Sequence, residues 1–84
     1  MNKVKQILVD WGYEDVIVFD DPTYDNAFIG ITMENEAVYD YEKMVEQLIN
    51  EENMDYESAA DFIHYNYSYM PKKQGYPIII NKII

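Results

Sequence analysis

The chain has 84 residues, enough for one domain, and at this length folding buries only about 60% of the surface that the unfolded chain exposes. Apolar residues make up 49% and charged residues 26% of it, ordinary globular values that exclude a disordered acidic tail and a coiled-coil segment. Sixteen acids oppose six lysines for a formal net charge of -10, with no arginine and no cysteine, so disulfides, thiolate chemistry and zinc fingers are excluded.

In chain order, Val4, Ile7, Leu8 and Trp11 fall at the i, i+3, i+4, i+7 spacing of a helix with one apolar stripe. Asn2 is a candidate cap and Gly12 stands where a left-handed C-terminal residue is wanted, which predicts a helix over 3–11. Residues 16–19 form a short β-branched and aromatic run and predict a strand. A second strand is predicted over 27–33, where Ala27, Ile29, Ile31 and Met33 alternate with Phe28, Gly30 and Thr32. Glu34 and Asn35 supply a tight connection, because asparagine tolerates positive φ, and residues 36–39 return as a third, antiparallel strand.

Asp40 caps the next predicted helix, whose stripe is Tyr41, Met44, Val45, Leu48 and Ile49, with Glu42, Glu46 and Glu51 facing water. Asn53 and Met54 interrupt it, and Asp55 caps a third helix with the stripe Tyr56, Ala59, Ala60, Ile63 and Tyr67. After Asn66 the tyrosines at 65, 67 and 69 recur every second residue, which predicts that the helix frays into extended chain. Residues 71–75 form a lysine-bearing loop, and Ile78, Ile79 and Ile80 predict a buried final strand after Pro77. The expected fold is a single α+β domain over 1–84, in the order α-β-β-β-α-α-β. Its three- to four-stranded, mostly antiparallel sheet carries the helices on one face.

The segments Val18-Phe19-Asp20-Asp21-Pro22-Thr23-Tyr24-Asp25-Asn26-Ala27-Phe28-Ile29-Gly30 and Tyr39-Asp40-Tyr41-Glu42-Lys43-Met44, residues 59–66, and Tyr76-Pro77-Ile78-Ile79 together resemble a family of small uncharacterised acidic proteins from Gram-positive bacteria and their phages or mobile elements. The resemblance implies a compact bacterial or phage-related domain and carries over no functional residue.

All sixteen acids lie between Asp10 and Asp61, accompanied there only by Lys43, a net of -15 over that stretch. Lys3 and Lys5 precede it, and Lys72, Lys73 and Lys82 follow it. Such a body repels phosphate and lacks the bidentate arginine donor, so direct nucleic-acid binding is not expected. Without a signal-like N-terminus or a bilayer-length apolar stretch, the expected location is the cytoplasm, off the membrane.

Catalytic groups are sparse. His64 is the single histidine and has no cysteine or second histidine to complete a metal site. Neither Ser58 nor Ser68 has a local base, and Ser58 is better placed to serve a helix start. Gly12, Gly30 and Gly75 are isolated, which leaves no phosphate cradle. Asp20, Asp21, Asp25 and Asn26 are weak candidates for a hard cation, with a Pro22-directed turn as the simpler explanation. No enzymatic activity and no cofactor are expected.

Nine tyrosines exceed what so small a core can hold with their hydroxyls satisfied. Tyr24, Tyr65 and Tyr69 beside an acidic field suit an interface with a basic partner. The expected function is a non-enzymatic acidic protein-binding module whose face of Glu42, Glu46, Glu51, Glu52, Glu57 and Asp61 occupies a basic groove on a nucleic-acid-binding protein. An inhibitor that mimics nucleic-acid charge, of the anti-restriction or anti-CRISPR type, is its sharp form. The alternatives are a homodimer joined through the C-terminal isoleucine-rich strand and a carboxylate-loop metal binder.

Overall fold

The computed structural model of the protein describes residues 3–70 and 75–83. Its order is α1 (Lys3–Asp10), a 3₁₀ helix (Pro22–Ala27), β1 (Phe28–Ile31), β2 (Ala37–Asp40), α2 (Tyr41–Glu52), α3 (Tyr56–Ser68) and β3 (Ile78–Ile80). The fold is α+β. Among the described residues the sheet has three strands in the order β1-β2-β3, with β1 antiparallel to β2 and β3 parallel to β2.

Local chemistry sets the element ends. At the end of α1 the Tyr13 N–H donates to the Leu8 carbonyl at 2.7 Å and the Gly12 N–H to that of Val9 at 3.0 Å, while Gly12 takes φ +87°. These are the two bonds of a Schellman stop, which a side chain at Gly12 would strain. Asp40 and Asp55 cap α2 and α3 by accepting from the N–H groups of Glu42 at 3.2 Å and Ser58 at 2.8 Å. Asn35 and Asn53 hold positive φ at the hairpin turn and at the end of α2. Inside that turn the Thr32 hydroxyl oxygen accepts from the N–H groups of Glu34 and Glu36, each at 3.1 Å.

The buried core joins Val4 and Leu8 of α1 to Val16, Tyr24, Ala27, Ala37, Tyr39, Met44, Val45, Leu48, Ala59 and Ile63. α2 lies at its centre and contacts the 3₁₀ helix, β2 and α3. Tyr39 is fully buried, with its ring 4.6 Å from that of Phe19 and 5.7 Å from that of Phe28. Its hydroxyl accepts the Phe19 N–H at 3.2 Å, and burial, ahead of the nearby Asp25 and Asp20 carboxylates, pushes its pKa up to about 12.

Several elements depart from expectation. Residues 16–19 do not form a strand. They run beside the core with their backbone engaged by side chains, because Lys5 Nζ donates to the Val16 carbonyl at 2.7 Å and Tyr39 holds the Phe19 N–H. The expected strand over 27–33 shortens to β1, since Ala27 ends the 3₁₀ helix and a bulge between Phe28 and Gly30 breaks the alternation. Phe28 and Ile31 therefore pack on the core, while Ile29 and Met33 are exposed. In α1 only Val4 and Leu8 of the predicted stripe are buried, and Trp11 is 77% exposed. α3 continues to Ser68 instead of fraying after Asn66, and β3 is a half-buried edge strand. The proposed cap Asn2, most of the loop over 71–75 and Ile84 lie outside the described residues.

Two predictions follow from these bonds. Tyr39→Phe leaves the Phe19 N–H without its acceptor and should cost about 1–2 kcal/mol, or roughly 5–10 °C in melting temperature; an unchanged melting curve would refute the role given to that hydroxyl. The second concerns Asp55, whose carboxyl is held below its ordinary 3.8 by hydrogen bonds from the backbone N–H and then the side chain of Ser58. Its contribution is present above that ordinary value and is lost as pH falls through the lower folded-state value. Urea midpoints should therefore show the wild-type advantage over Asp55→Asn narrowing on acidification, whereas a pH-independent offset would contradict the ionic cap.

Candidate binding surface

Burial of one face of each helix decides what the opposite face presents. α2 turns Met44, Val45, Gln47 and Leu48 inward, and α3 turns Ala59 and Ile63 inward. Glu42, Glu46, Glu51 and Glu52 on α2, and Glu57 and Asp61 on α3, are all exposed. Two tyrosines link the acids of the two helices. Tyr56 Oη donates to Glu42 Oε1 at 3.2 Å, so the start of α3 is tied to the first turn of α2. The Tyr41 pKa is raised by burial, then by Glu42, then by Asp61, which puts a carboxylate from each helix near one phenol. Lys43 pairs with Glu46 at 3.6 Å, an exposed ion pair that leaves the field strongly negative.

Beside this hairpin α3 stands off the sheet and leaves an open cavity of about 390 Å³. Phe19, Asp21 and Tyr24 line one side of it, Phe62, Tyr67 and Tyr69 the other, and Met44 and Ile79 also contribute. A smaller cavity of about 210 Å³ includes Tyr41, His64 and Ile80 in its lining.

The predicted interface tyrosines divide. Tyr65 and Tyr69 are 65% and 76% exposed, with ring centroids 4.9 Å apart one helical turn from each other. Tyr24, expected at the surface, is instead 8% exposed, its ring edge-on to Phe19 at 5.8 Å. The 3₁₀ helix turns it inward, and burial, with Asp21 and Glu52 adding to it, pushes its phenol up to about 12. Tyr56, expected in the core, is half exposed because it starts α3 and reaches back to Glu42.

Of the weak cation candidates, Asp21 serves the turn and Asn26 bonds to side chains outside it. Asp21 Oδ1 accepts the Thr23 N–H at 3.0 Å and caps the 3₁₀ helix that Pro22 begins. Asn26 accepts from Lys3 Nζ and donates to Gln47 Oε1, each at 3.4 Å. Asp20 is exposed, and Asp25 Oδ1 is buried with no hydrogen-bond partner among the described residues. Among the described residues no three acidic, histidine or cysteine side chains converge as metal ligands, and no helix is long and apolar enough to cross a membrane. His64 is exposed with its ring 5.3 Å from that of Tyr41, Ser68 Oγ donates to the His64 carbonyl at 2.8 Å, and Ser58 serves the Asp55 cap.

The groove escaped the sequence reading, which took Tyr65, Tyr67 and Tyr69 at period two. Continued at helical spacing, Phe62, Asn66 and Tyr69 form one stripe and Ile63, Tyr67 and Met70 its neighbour, and all six line the cavity. In comparisons with known proteins, the chain matches no family model, no curated protein and no solved structure.

The Glu42 contact is directly testable, because the nearby carboxylate, and then the hydrogen bond to it, raise the Tyr56 pKa above its ordinary 10.0. An ultraviolet titration of Glu42→Gln should show the Tyr56 phenol, and with it that of Tyr41, moving down relative to wild type, and superimposable titrations would remove the inter-helix link.

Proposed function

We propose that the chain is a non-enzymatic binding module that presents its acidic α2–α3 hairpin to a basic surface on another protein. The observation that carries this reading is the exposure of all six carboxylates, Glu42, Glu46, Glu51, Glu52, Glu57 and Asp61, on two adjoining helices whose one lysine is Lys43. Crowding like charge on one body lowers its stability and raises its association rate with an opposite field. In its sharper form the module is an inhibitor that fills the nucleic-acid groove of an enzyme, excluding phosphate sterically and electrostatically. An anti-restriction or anti-CRISPR inhibitor is one version of that role.

A second reading has one observation in its favour. β3 lies at a sheet edge, and Ile80 and Ile83 near it are 38% and 88% exposed, which suits a homodimer joined there. Light scattering that reports a monomer at every concentration would exclude it.

For the first reading, a nucleic-acid enzyme captured from host lysate at low salt is challenged with the purified chain and duplex DNA in competition. The wild-type chain should displace the DNA. Combined Glu42→Gln, Glu46→Gln, Glu52→Gln and Asp61→Asn should weaken displacement about tenfold or more, with a shallower salt dependence. Equal displacement by wild type and variant would end the proposal.

A further inference from the structure

The cavity beside α3 combines three properties that narrow what it can hold. Five aromatic rings, those of Phe19, Tyr24, Phe62, Tyr67 and Tyr69, contribute to its wall. Asp21 is its one charged lining residue among those described, and it stands in the stretch that carries the net charge of -15. Its volume of about 390 Å³ falls within the roughly 300–1,000 Å³ of ordinary ligand sites. Ring faces attract cations through their quadrupoles, and a carboxylate at the same opening adds a hydrogen-bonding counter-charge.

Among protein side chains arginine satisfies these features together. Its guanidinium is planar, stacks on aromatic faces, is weakly hydrated and engages a carboxylate in a fork, whereas lysine's compact, strongly hydrated ammonium loses more on leaving water. Burial first, and then Asp21 and Glu52, raise the Tyr24 phenol, which puts a second carboxylate within electrostatic reach of this wall. Asp21 keeps one oxygen on the Thr23 N–H at 3.0 Å, which fixes the carboxylate and leaves its second oxygen for the guest.

We propose that this groove receives an arginine side chain, flanked by apolar residues, from a segment of a basic partner protein. The inference rests on the reading of the chain as a binder of basic proteins and assigns that binding a specific anchor. The acidic hairpin steers the partner, and the groove holds it.

The test is a titration of the isotope-labelled full-length chain with a capped pentapeptide, Gly-Leu-Arg-Leu-Gly, followed by backbone amide shifts. Saturable shifts are expected at Phe62, Asn66 and Tyr69. Replacing the peptide arginine by citrulline, its neutral isostere, should weaken binding about tenfold, and lysine about threefold. Tyr69→Ala, at a residue 76% exposed, should preserve the fold and weaken binding about fivefold. Asp21→Asn retains an oxygen acceptor for the Thr23 N–H and should weaken binding about threefold through lost charge.

Equal affinity for the citrulline peptide, or no saturable shift at millimolar peptide, would overturn the proposal. So would the same amides shifting on dilution of the chain alone, which would place a second copy in the groove. Binding that ignores Tyr69→Ala and Asp21→Asn but fails in the four-site acidic variant would overturn the anchor and leave the acidic-surface reading standing. Binding with the opposite dependence would sustain the anchor and remove that reading.

Discussion

A tyrosine placed at the centre of a small sheet must find a partner for its hydroxyl, and the solution at Tyr39 organises much of this fold. Its backbone lies in the middle strand, opposite Phe28 of β1 on one side and Ile79 of β3 on the other. Its ring meets Phe19 and Phe28, and its hydroxyl accepts the Phe19 N–H. One buried residue thus joins both sheet edges, through its backbone, to the segment that leads into the 3₁₀ helix, through its side chain. Because Phe19 also lines the groove, the bond that satisfies the core also positions one wall of the proposed binding site.

The parts of this fold legible in the sequence are those with local causes. Gly12 stops α1, Asn35 turns the hairpin, and Asp40 and Asp55 start α2 and α3, because each acts on backbone within five residues of itself. Residues 16–19 have strand composition, yet composition cannot reveal that Lys5 and Tyr39 will occupy their backbone groups. The direction of β3 was equally hidden. A tight turn would have required antiparallel pairing, but β3 follows two helices, and a connection of that length allows the parallel arrangement observed. The inward turn of Tyr24 likewise comes from the 3₁₀ helix and its fit against α2, neither of which has a period visible in seven residues.

The groove has a packing cause. α3 buries only Ala59 and Ile63, so its interface with the rest of the molecule is narrow, and Ala59 at full burial lets the helix approach α2 at its N-terminal end. Toward its C-terminus the residues grow large: Phe62, Tyr65 and Tyr69 remain substantially exposed. Small residues at one end and aromatic ones at the other suit a helix that is anchored at its start and opens along its length. Exposed aromatic surface beside a pocket is what interfaces enrich and folding alone does not require.

The acids can be sorted by whether the fold uses them. Asp21, Asp40 and Asp55 each satisfy a backbone N–H at a helix start, where the macrodipole also favours negative charge. Glu36 accepts from the Thr32 hydroxyl and Glu42 from Tyr56, so both have structural partners. Glu51, Glu57 and Asp61 make no hydrogen bond or ion pair among the described residues. α2 and α3 carry no basic residue in their last turns to offset these charges. Solubility does not require so one-sided a distribution, since mixed signs serve it as well. Carboxylates without an internal partner are those whose partner is best sought in a complex, and here they lie on the same helical hairpin whose second helix forms one wall of the aromatic groove.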